Sequence, residues 1–219
     1  MKVILFGATG MVGQGVLREC LLADDVESVL AVVRTTTGQR HAKLKEIVHR
    51  DFFDFSSIEN QLAGYDACFF CLGVSSVGMS EQNYRHLTYD LAVNAAQTLV
   101  RLNPQMTFIY VSGTGTDSTG SGRSMWARVK GETENALLAL PFKAAFMFRP
   151  GYIQPQHGIV AKTKVYRVAY ILAAPLYPLW KALFPSYVTT TTQVGRAMLQ
   201  VARNGAPKRV LETPDINRL

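Results

Sequence analysis

The chain has 219 residues, of which 48% are apolar, 18% charged and 10% aromatic, an ordinary globular composition that excludes disordered, collagen-like and disulfide-scaffold classes. The formal net charge of +7 sits entirely in the last third. Residues 1–150 balance, whereas 151–219 carry Lys162, Lys164, Arg167, Lys181, Arg196, Arg203, Lys208, Arg209 and Arg218 against Glu212 and Asp215 alone. Such asymmetry suits an anionic ligand, an acidic partner, a membrane surface or nucleic acid, and equally a solvated basic face. Three cysteines, Cys20, Cys68 and Cys71, are too few to staple a secreted domain, and their odd number fits a reducing compartment. The first residues also lack the long apolar core of a signal peptide, so a cytoplasmic location is expected.

Residues 3–6 form an apolar run closed by a glycine turn, the pattern of a strand buried on both faces of a parallel sheet. Residues 11–22 follow with apolar side chains at Val12, Val16, Leu17, Cys20 and Leu21, a helical stripe. Residues 26–33 give a second buried strand and complete a right-handed β-α-β unit. Further strands at 46–49, 67–72, 107–111 and 144–148 alternate with helices near 57–62, 81–102 and 125–140, where Asn103-Pro104 and Leu140-Pro141 mark helix ends. This alternation predicts an α/β fold, a Rossmann-type doubly wound parallel sheet spanning residues 1–150.

Residues 151–219 are expected to form a small basic, aromatic cap plus a closing helix and strand of the same domain. Periodicity weakens in 151–188, and Tyr152, Tyr166, Tyr170, Tyr177, Trp180, Phe184 and Tyr187 crowd in. The uncharged stretch 168–180 falls short of the roughly 20 residues that cross a bilayer, and Pro175 and Pro178 break it. A cap helix over a ligand cleft, or a homodimer surface, is the first reading. Contact with a membrane surface through Lys162, Lys164 and Arg167 is the second. Hydroxyls at 189–192 then cap a helix reaching about residue 202, which Asn204-Gly205 ends, and residues 209–211 supply a last strand.

The residues Gly7, Ala8, Thr9, Gly10, Met11, Val12 and Gly13 place glycines at GxxGxxG spacing between the first strand and the first helix. The first glycine permits the tight turn, the second lets backbone approach a pyrophosphate, and the third lets helix pack close to strand. A helix N-terminus then offers free N–H groups to the phosphates. These spacings predict a dinucleotide site. The second strand ends Val33-Arg34-Thr35-Thr36 with no carboxylate for a ribose 2′-hydroxyl, and the Arg34 guanidinium suits a 2′-phosphate. NADP is therefore expected over NAD, unless Arg34 stacks on the adenine or points to solvent.

Taken together, GATGMVG at residues 7–13, Arg50-Asp51-Phe52, the stretch from Phe69 to Gly73, Tyr110-Val111-Ser112-Gly113, Val129-Lys130-Gly131-Glu132 and Phe148-Arg149-Pro150-Gly151 resemble the atypical short-chain dehydrogenases/reductases. The likeness runs over nearly the whole chain, toward the extended epimerase/dehydratase branch and the Tat-interacting-protein-like reductases. It implies that Asp51, beside Phe52, accepts the adenine amino group, that Leu72 and Gly73 line the cofactor ribose, and that Lys130 holds the nicotinamide ribose hydroxyls. It also implies that Ser112 polarises a substrate carbonyl.

One departure stands out. The family pairs a tyrosine with a lysine four residues later, one helical turn apart. Four residues before Lys130 this chain has Trp126, whose indole N–H donates a hydrogen bond but exchanges no proton near neutral pH. Tyr84, Tyr89, Tyr152 or a bound water are left as proton donors, or the protein binds its cofactor without the family's chemistry. The residues therefore fit an NADP(H)-dependent oxidoreductase or epimerase-like enzyme acting on a small carbonyl or hydroxyl compound, for which the basic cap hints at an anionic character. A non-catalytic NADPH-binding regulator is the second reading, and a peripheral membrane protein the third.

Residues 112–124 contain only Gly, Ser and Thr apart from Asp117 and Arg123, the composition of a lid over the nicotinamide or of a plain surface loop. Cys68 and Cys71 spell CxxC within an apolar strand, where residues three apart point to opposite faces, so they are read as core, although Cys71, near the strand's carboxyl end, could approach the cofactor crevice. His41, His49, His86 and His157 show no ligand spacing, and no metal is expected. The basic residues form no recognition-helix or stacking motif, so no nucleic-acid partner is expected.

Overall fold

The computed structural model describes residues 1–160 and 177–219. Among these, seven strands form one parallel sheet in the order β3-β2-β1-β4-β5-β6-β9. They are β1 (Lys2–Phe6), β2 (Ser28–Val33), β3 (Leu44–Val48), β4 (Ala67–Phe70), β5 (Thr107–Val111), β6 (Ala144–Arg149) and β9 (Val210–Glu212). The central strands are apolar over residues 3–6, 67–70 and 108–111 because helices cover both faces of the sheet. On β1 the side chains alternate: Val3 and Leu5 join one core, Ile4 and Phe6 the other. The first core holds Val16, Leu17 and Cys20 of α1 (Met11–Leu22) and Val194, Ala197, Met198 and Val201 of the helix at Thr191–Asn204. The second holds Ala92, Ala95, Ala96 and Leu99 of α3 (Leu91–Leu102) and Leu137 of α4 (Met125–Leu138).

Two elements differ from the pattern in sequence. The expected helix at 57–62 is a 3₁₀ turn, Ser56–Gln61, around the single buried Ile58. The expected helix over 81–102 is α2 (Glu81–Arg85), a π-helical turn (His86–Asp90) and α3 in series. Apolar periodicity registers none of this, because the π turn shifts the face by one residue without breaking the helix.

Beyond β6, a short strand β7 (Tyr152–Gln154) pairs in parallel with β8 (Val188–Thr190). Between them come α5 (Tyr177–Leu183) and a 3₁₀ turn at Pro185–Tyr187, with Tyr152 set edge-on to Trp180 at 5.2 Å. Lys162, Lys164, Arg167, Tyr166, Tyr170 and most of the uncharged stretch 168–180 lie outside the described residues. No described helix is long and apolar enough to cross a membrane.

The chain then returns to the sheet. Helix α6 (Thr191–Asn204) starts from the Thr190 hydroxyl, which accepts from the Gln193 N–H, and stops at Gly205, whose φ of 73° favours glycine. It crosses α1 so closely that a Cβ on Gly15 would lie 2.6 Å from the Thr191 Cβ, and one on Gly195 2.9 Å from the Glu19 Cγ. Ion pairs reinforce this contact: Arg196 to the buried Glu19 at 3.0 Å and Arg203 to Asp25 at 2.5 Å. Farther on, Lys208 pairs with Asp215 of α7 (Thr213–Ile216), and Arg209 lies 4.9 Å over the Phe146 ring. These four cations of the basic last third therefore neutralise or cover parts of the domain itself.

Candidate functional site

In an open parallel sheet, ligands bind beyond the carboxyl ends of the strands where the chain order reverses. Here that point lies between β1 and β4, which pair through Phe6 and Phe70. The glycine loop follows β1 at this place. A Cβ on Gly7 (φ 83°) would lie 2.7 Å from the Cys71 backbone, and one on Gly13 only 2.0 Å from the Gly7 carbonyl oxygen. The Gly10 N–H donates to the Gly7 carbonyl at 2.8 Å and closes the turn. No side chain caps α1, and its first turn carries no acidic residue, so its N-terminal amides and positive dipole end remain available to an anion. A cradle that any side chain would fill, at an uncapped helix start, fits a pyrophosphate.

Two adjoining hollows run from this loop, with Leu72 in the wall of both. The smaller, about 190 Å³, is lined by Gly7, Thr9, Val32, Val33, Arg34, Thr35, Phe52 and Leu72. The exposed Arg34 guanidinium lies 6.0 Å from the centre of the Phe52 ring. Asp51 is absent from this lining: it is exposed, and its Oδ1 accepts from the Phe53 N–H in a tight turn. A carboxylate does approach the loop after β2, a feature the linear sequence conceals. Glu46 of β3 accepts from the Thr37 N–H at 2.9 Å and is not part of the lining.

The larger hollow, about 390 Å³, gathers Gly10, Met11 and Val12 from the loop and Cys71, Leu72 and Gly73 from the end of β4. Ser112, Gly113 and Lys130 complete its far side. Gly13 lies beneath the loop and lines neither hollow. The Lys130 ammonium donates to the Ser112 carbonyl oxygen and sits 5.9 Å from the Tyr110 ring centre. Burial draws its pKa down to about 8, a drop that the nearby Glu134 only partly offsets.

Glu134 escaped the reading of the sequence. It lies one turn beyond Lys130 on α4 and is fully buried. Its Oε1 accepts from the Ser112 hydroxyl at 2.5 Å and from Arg149 Nε at 3.0 Å, while its Oε2 pairs with Arg149 Nη2. Arg149 also reaches Glu212 at 3.3 Å and is held in its charged form chiefly by the Glu134 bond. The i, i+4 spacing of Lys130 and Glu134, with an arginine closing a neighbouring strand, was the available signal.

The loop 112–124 is not a loose lid. Thr114 is tied to Arg149 and Pro150 through their carbonyls, the Asp117 N–H donates to the Ala127 carbonyl, and Arg128 bonds the Gly122 carbonyl. Asp117 accepts from the Thr119 hydroxyl and the Thr119 and Gly122 N–H groups, which hold its carboxyl below the usual range. Helix α4 presses on this loop at Gly131, where a Cβ would lie 1.8 Å from the Asp117 carbonyl oxygen. That contact explains why glycine stands at that position.

None of the tyrosines proposed as proton donors lines the larger hollow. Tyr84 is buried, Tyr89 lies under the Arg85 guanidinium at 4.1 Å, and the Tyr152 hydroxyl donates to Gln154 at 2.8 Å. Trp126 packs its ring against Gly115 and is likewise outside the lining. Cys68 and Cys71 fall into opposite cores, as their spacing in a strand requires, and burial raises both thiol pKa values.

A strand-loop-helix cradle at the reversal point of a parallel sheet defines a dinucleotide-binding protein. Residues 7–139 match the NAD(P)H-binding family, and the chain belongs to it. It has the fold of the short-chain dehydrogenases/reductases. The chain is 27% identical over 221 residues to the mitochondrial protein FMP52 of Eremothecium gossypii, covering 99% of this chain and 96% of that one. It is 24% identical over 212 residues to the mitochondrial protein FMP52-1 of Scheffersomyces stipitis, covering 94% and 88%. Among solved structures it superposes on the Bordetella bronchiseptica enzyme WbmF in complex with NAD+ with a TM-score of 0.67 at 14% identity, covering 99% of this chain and 76% of that one. A short-chain dehydrogenase/reductase from Saccharomyces cerevisiae gives 0.64 at 14% identity, covering 98% and 96%.

These relatives overturn the cytoplasmic expectation, because they are named as mitochondrial proteins. Free cysteines report a reducing environment and do not distinguish one reducing compartment from another.

Proposed function

We propose that the protein is an oxidoreductase or epimerase-like enzyme that prefers NADP(H) and acts on a small carbonyl or hydroxyl compound. The observation that carries this reading is the convergence of the uncapped α1 N-terminus, Ser112 and Lys130 on one hollow at the reversal point of the sheet. The nicotinamide, when bound, supplies or accepts hydride.

The chain's own residues do the rest. Amides at the start of α1 bind the pyrophosphate, and the Gly7 and Gly13 contacts keep that helix end close to β1. Arg34 and Thr35 favour a 2′-phosphate, since among the described residues no carboxylate lines the smaller hollow and Glu46 is engaged by Thr37. Lys130 holds ribose hydroxyls at the opposite end. Ser112 polarises a substrate carbonyl by turning its hydroxyl out of the Glu134 contact, while Arg149 stays bonded to that carboxylate.

Calorimetric titration with NADPH and NADH, followed by NADPH oxidation across aldehydes, ketones and quinones, tests this. At least tenfold tighter binding of NADPH, with turnover of one carbonyl class, is expected. A second reading, a regulator that binds NADPH without turning it over, draws on Trp126 and on the lack of tyrosine among the residues lining the hollow. Tight binding with no oxidation would favour it.

A further inference from the structure

Carbonyl reduction consumes a proton as well as a hydride, and the larger hollow offers few sources. Among the described residues, its lining side chains with exchangeable protons are Cys71, Ser75, Ser112 and Lys130. The Cys71 thiol is held in its protonated form by burial, far from neutral pH, and is correspondingly poor at giving a proton up. Serine hydroxyls donate hydrogen bonds but do not ionise in this range, and the Ser112 hydroxyl already donates to the Glu134 carboxylate. Lys130 differs. One of its three N–H donors is used by the Ser112 carbonyl, and among the described residues it makes no ion pair.

We propose that Lys130 is itself the proton donor of the reduction and the acceptor of the reverse reaction, the office that a tyrosine one turn earlier fills in the related enzymes. The proposal rests on the oxidoreductase reading above. In the balanced step, the carbonyl carbon gains hydride from a reduced nicotinamide dinucleotide, which leaves oxidised. The carbonyl oxygen takes a proton from Lys130 Nζ as the C=O π bond opens to an alcohol. Lys130 is left as a neutral amine and regains its proton from water at the cleft mouth.

The surroundings suit this exchange. The titratable and charged groups about the ammonium are Glu134 on its own helix with its partner Arg149 from β6, Tyr110 of β5 with Tyr84 of α2 behind it, and Cys71 after β4. Arg149 takes up the carboxylate that would otherwise fix Lys130 as an ammonium. With a pKa near 8, the side chain is roughly nine-tenths protonated at pH 7 and roughly one-tenth at pH 9. An unperturbed lysine would remain protonated throughout that range.

The test uses the full-length protein and two independent readouts. Trinitrobenzenesulfonate labelling of Lys130, followed by peptide mapping across pH without any carbonyl present, should show a midpoint near 8. The rate of NADPH-dependent carbonyl reduction should fall on its basic limb with the same midpoint. Lys130→Arg keeps charge and donors yet releases no proton below pH 12, and should lower the rate at least 100-fold. A Trp126→Tyr/Lys130→Arg double variant should recover part of the rate, with the basic limb moved above pH 9.

A Lys130→Arg rate within fivefold of the parent overturns the proposal, as does a basic limb that ignores the labelling midpoint. If that variant fails to fold, the parent's labelling and rate profiles still decide. A parent protein that binds NADPH but reduces no carbonyl overturns this proposal and the oxidoreductase reading together, whereas an active Lys130→Arg variant overturns this one alone.

Discussion

Substituting Gly13 by alanine probes the cradle most directly. The added Cβ would lie 2.0 Å from the Gly7 carbonyl oxygen and 2.5 Å from its carbon, where ordinary contacts begin near 3.4 Å. The start of α1 must therefore move away from β1 by more than 1 Å, on the order of the misplacement that costs a site about 100-fold. Forcing a methyl into packed backbone costs about 1–3 kcal/mol, and the better helix propensity of alanine returns about 1 kcal/mol. The net loss of up to about 2 kcal/mol lowers the melting temperature by up to about 8 °C in a chain of this size. Thermal melts with and without NADPH, together with calorimetry, should show this loss and at least tenfold weaker cofactor binding. Gly10→Ala offers the contrast, since its Cβ meets the same oxygen at 3.3 Å, a strain of a few tenths of an ångström. It should melt close to the parent yet bind cofactor poorly, because the methyl obstructs the pyrophosphate. Parental melting and parental NADPH affinity in Gly13→Ala would refute the cradle.

Three further outcomes follow from other parts of the site. Glu134→Gln removes the charge that Arg149 faces in a buried setting and should cost about 2–4 kcal/mol, read as a lower urea midpoint with unchanged m-value. Arg34→Ala should weaken NADPH at least tenfold while leaving NADH within threefold, measured by fluorescence titration. Asp117→Ala should speed hydrogen exchange across residues 117–122. Expressed as protection factors, which remove the intrinsic slowing of exchange in acid, the same loss should appear in the parent as pH falls: the carboxyl's folded pKa is depressed, so its stabilising bonds are complete above the ordinary carboxylate pKa and vanish as pH drops through the folded value.

How much of this was legible follows from the range of each interaction. The strand-glycine-helix opening needs only neighbours within a dozen residues, and β1, α1 and the glycine spacing appear as the sequence implies. The placement of Cys68 and Cys71 on opposite faces was readable because period-two geometry in a strand is local. The ties of the loop at 112–124 were not legible, because they run to carbonyls of Arg149, Pro150 and Ala127, which composition cannot reveal. The basic last third left an anionic ligand, a partner, a surface and a solvated face all open, and folding pairs Arg196, Arg203 and Lys208 with Glu19, Asp25 and Asp215. Two of those acids lie more than 170 residues away in the chain. A count of charges has no access to pairings of that span.

By itself, the order of residues determined the class of fold, the glycine-rich loop between the first strand and helix, and the tryptophan that stands four residues before Lys130. These depend on backbone freedom at glycine, on apolar period and on the identity of one side chain, all properties of short stretches. Folding alone decided that Glu134 would lie beneath Ser112, that Arg149 would occupy that carboxylate, and that Lys130 would enter the hollow with no ion pair among the described residues. The reason is dielectric as well as geometric. A lysine's proton affinity depends on how much water surrounds it and where the nearest opposite charge lies, and both are fixed only when β5, β6 and α4 close upon one another.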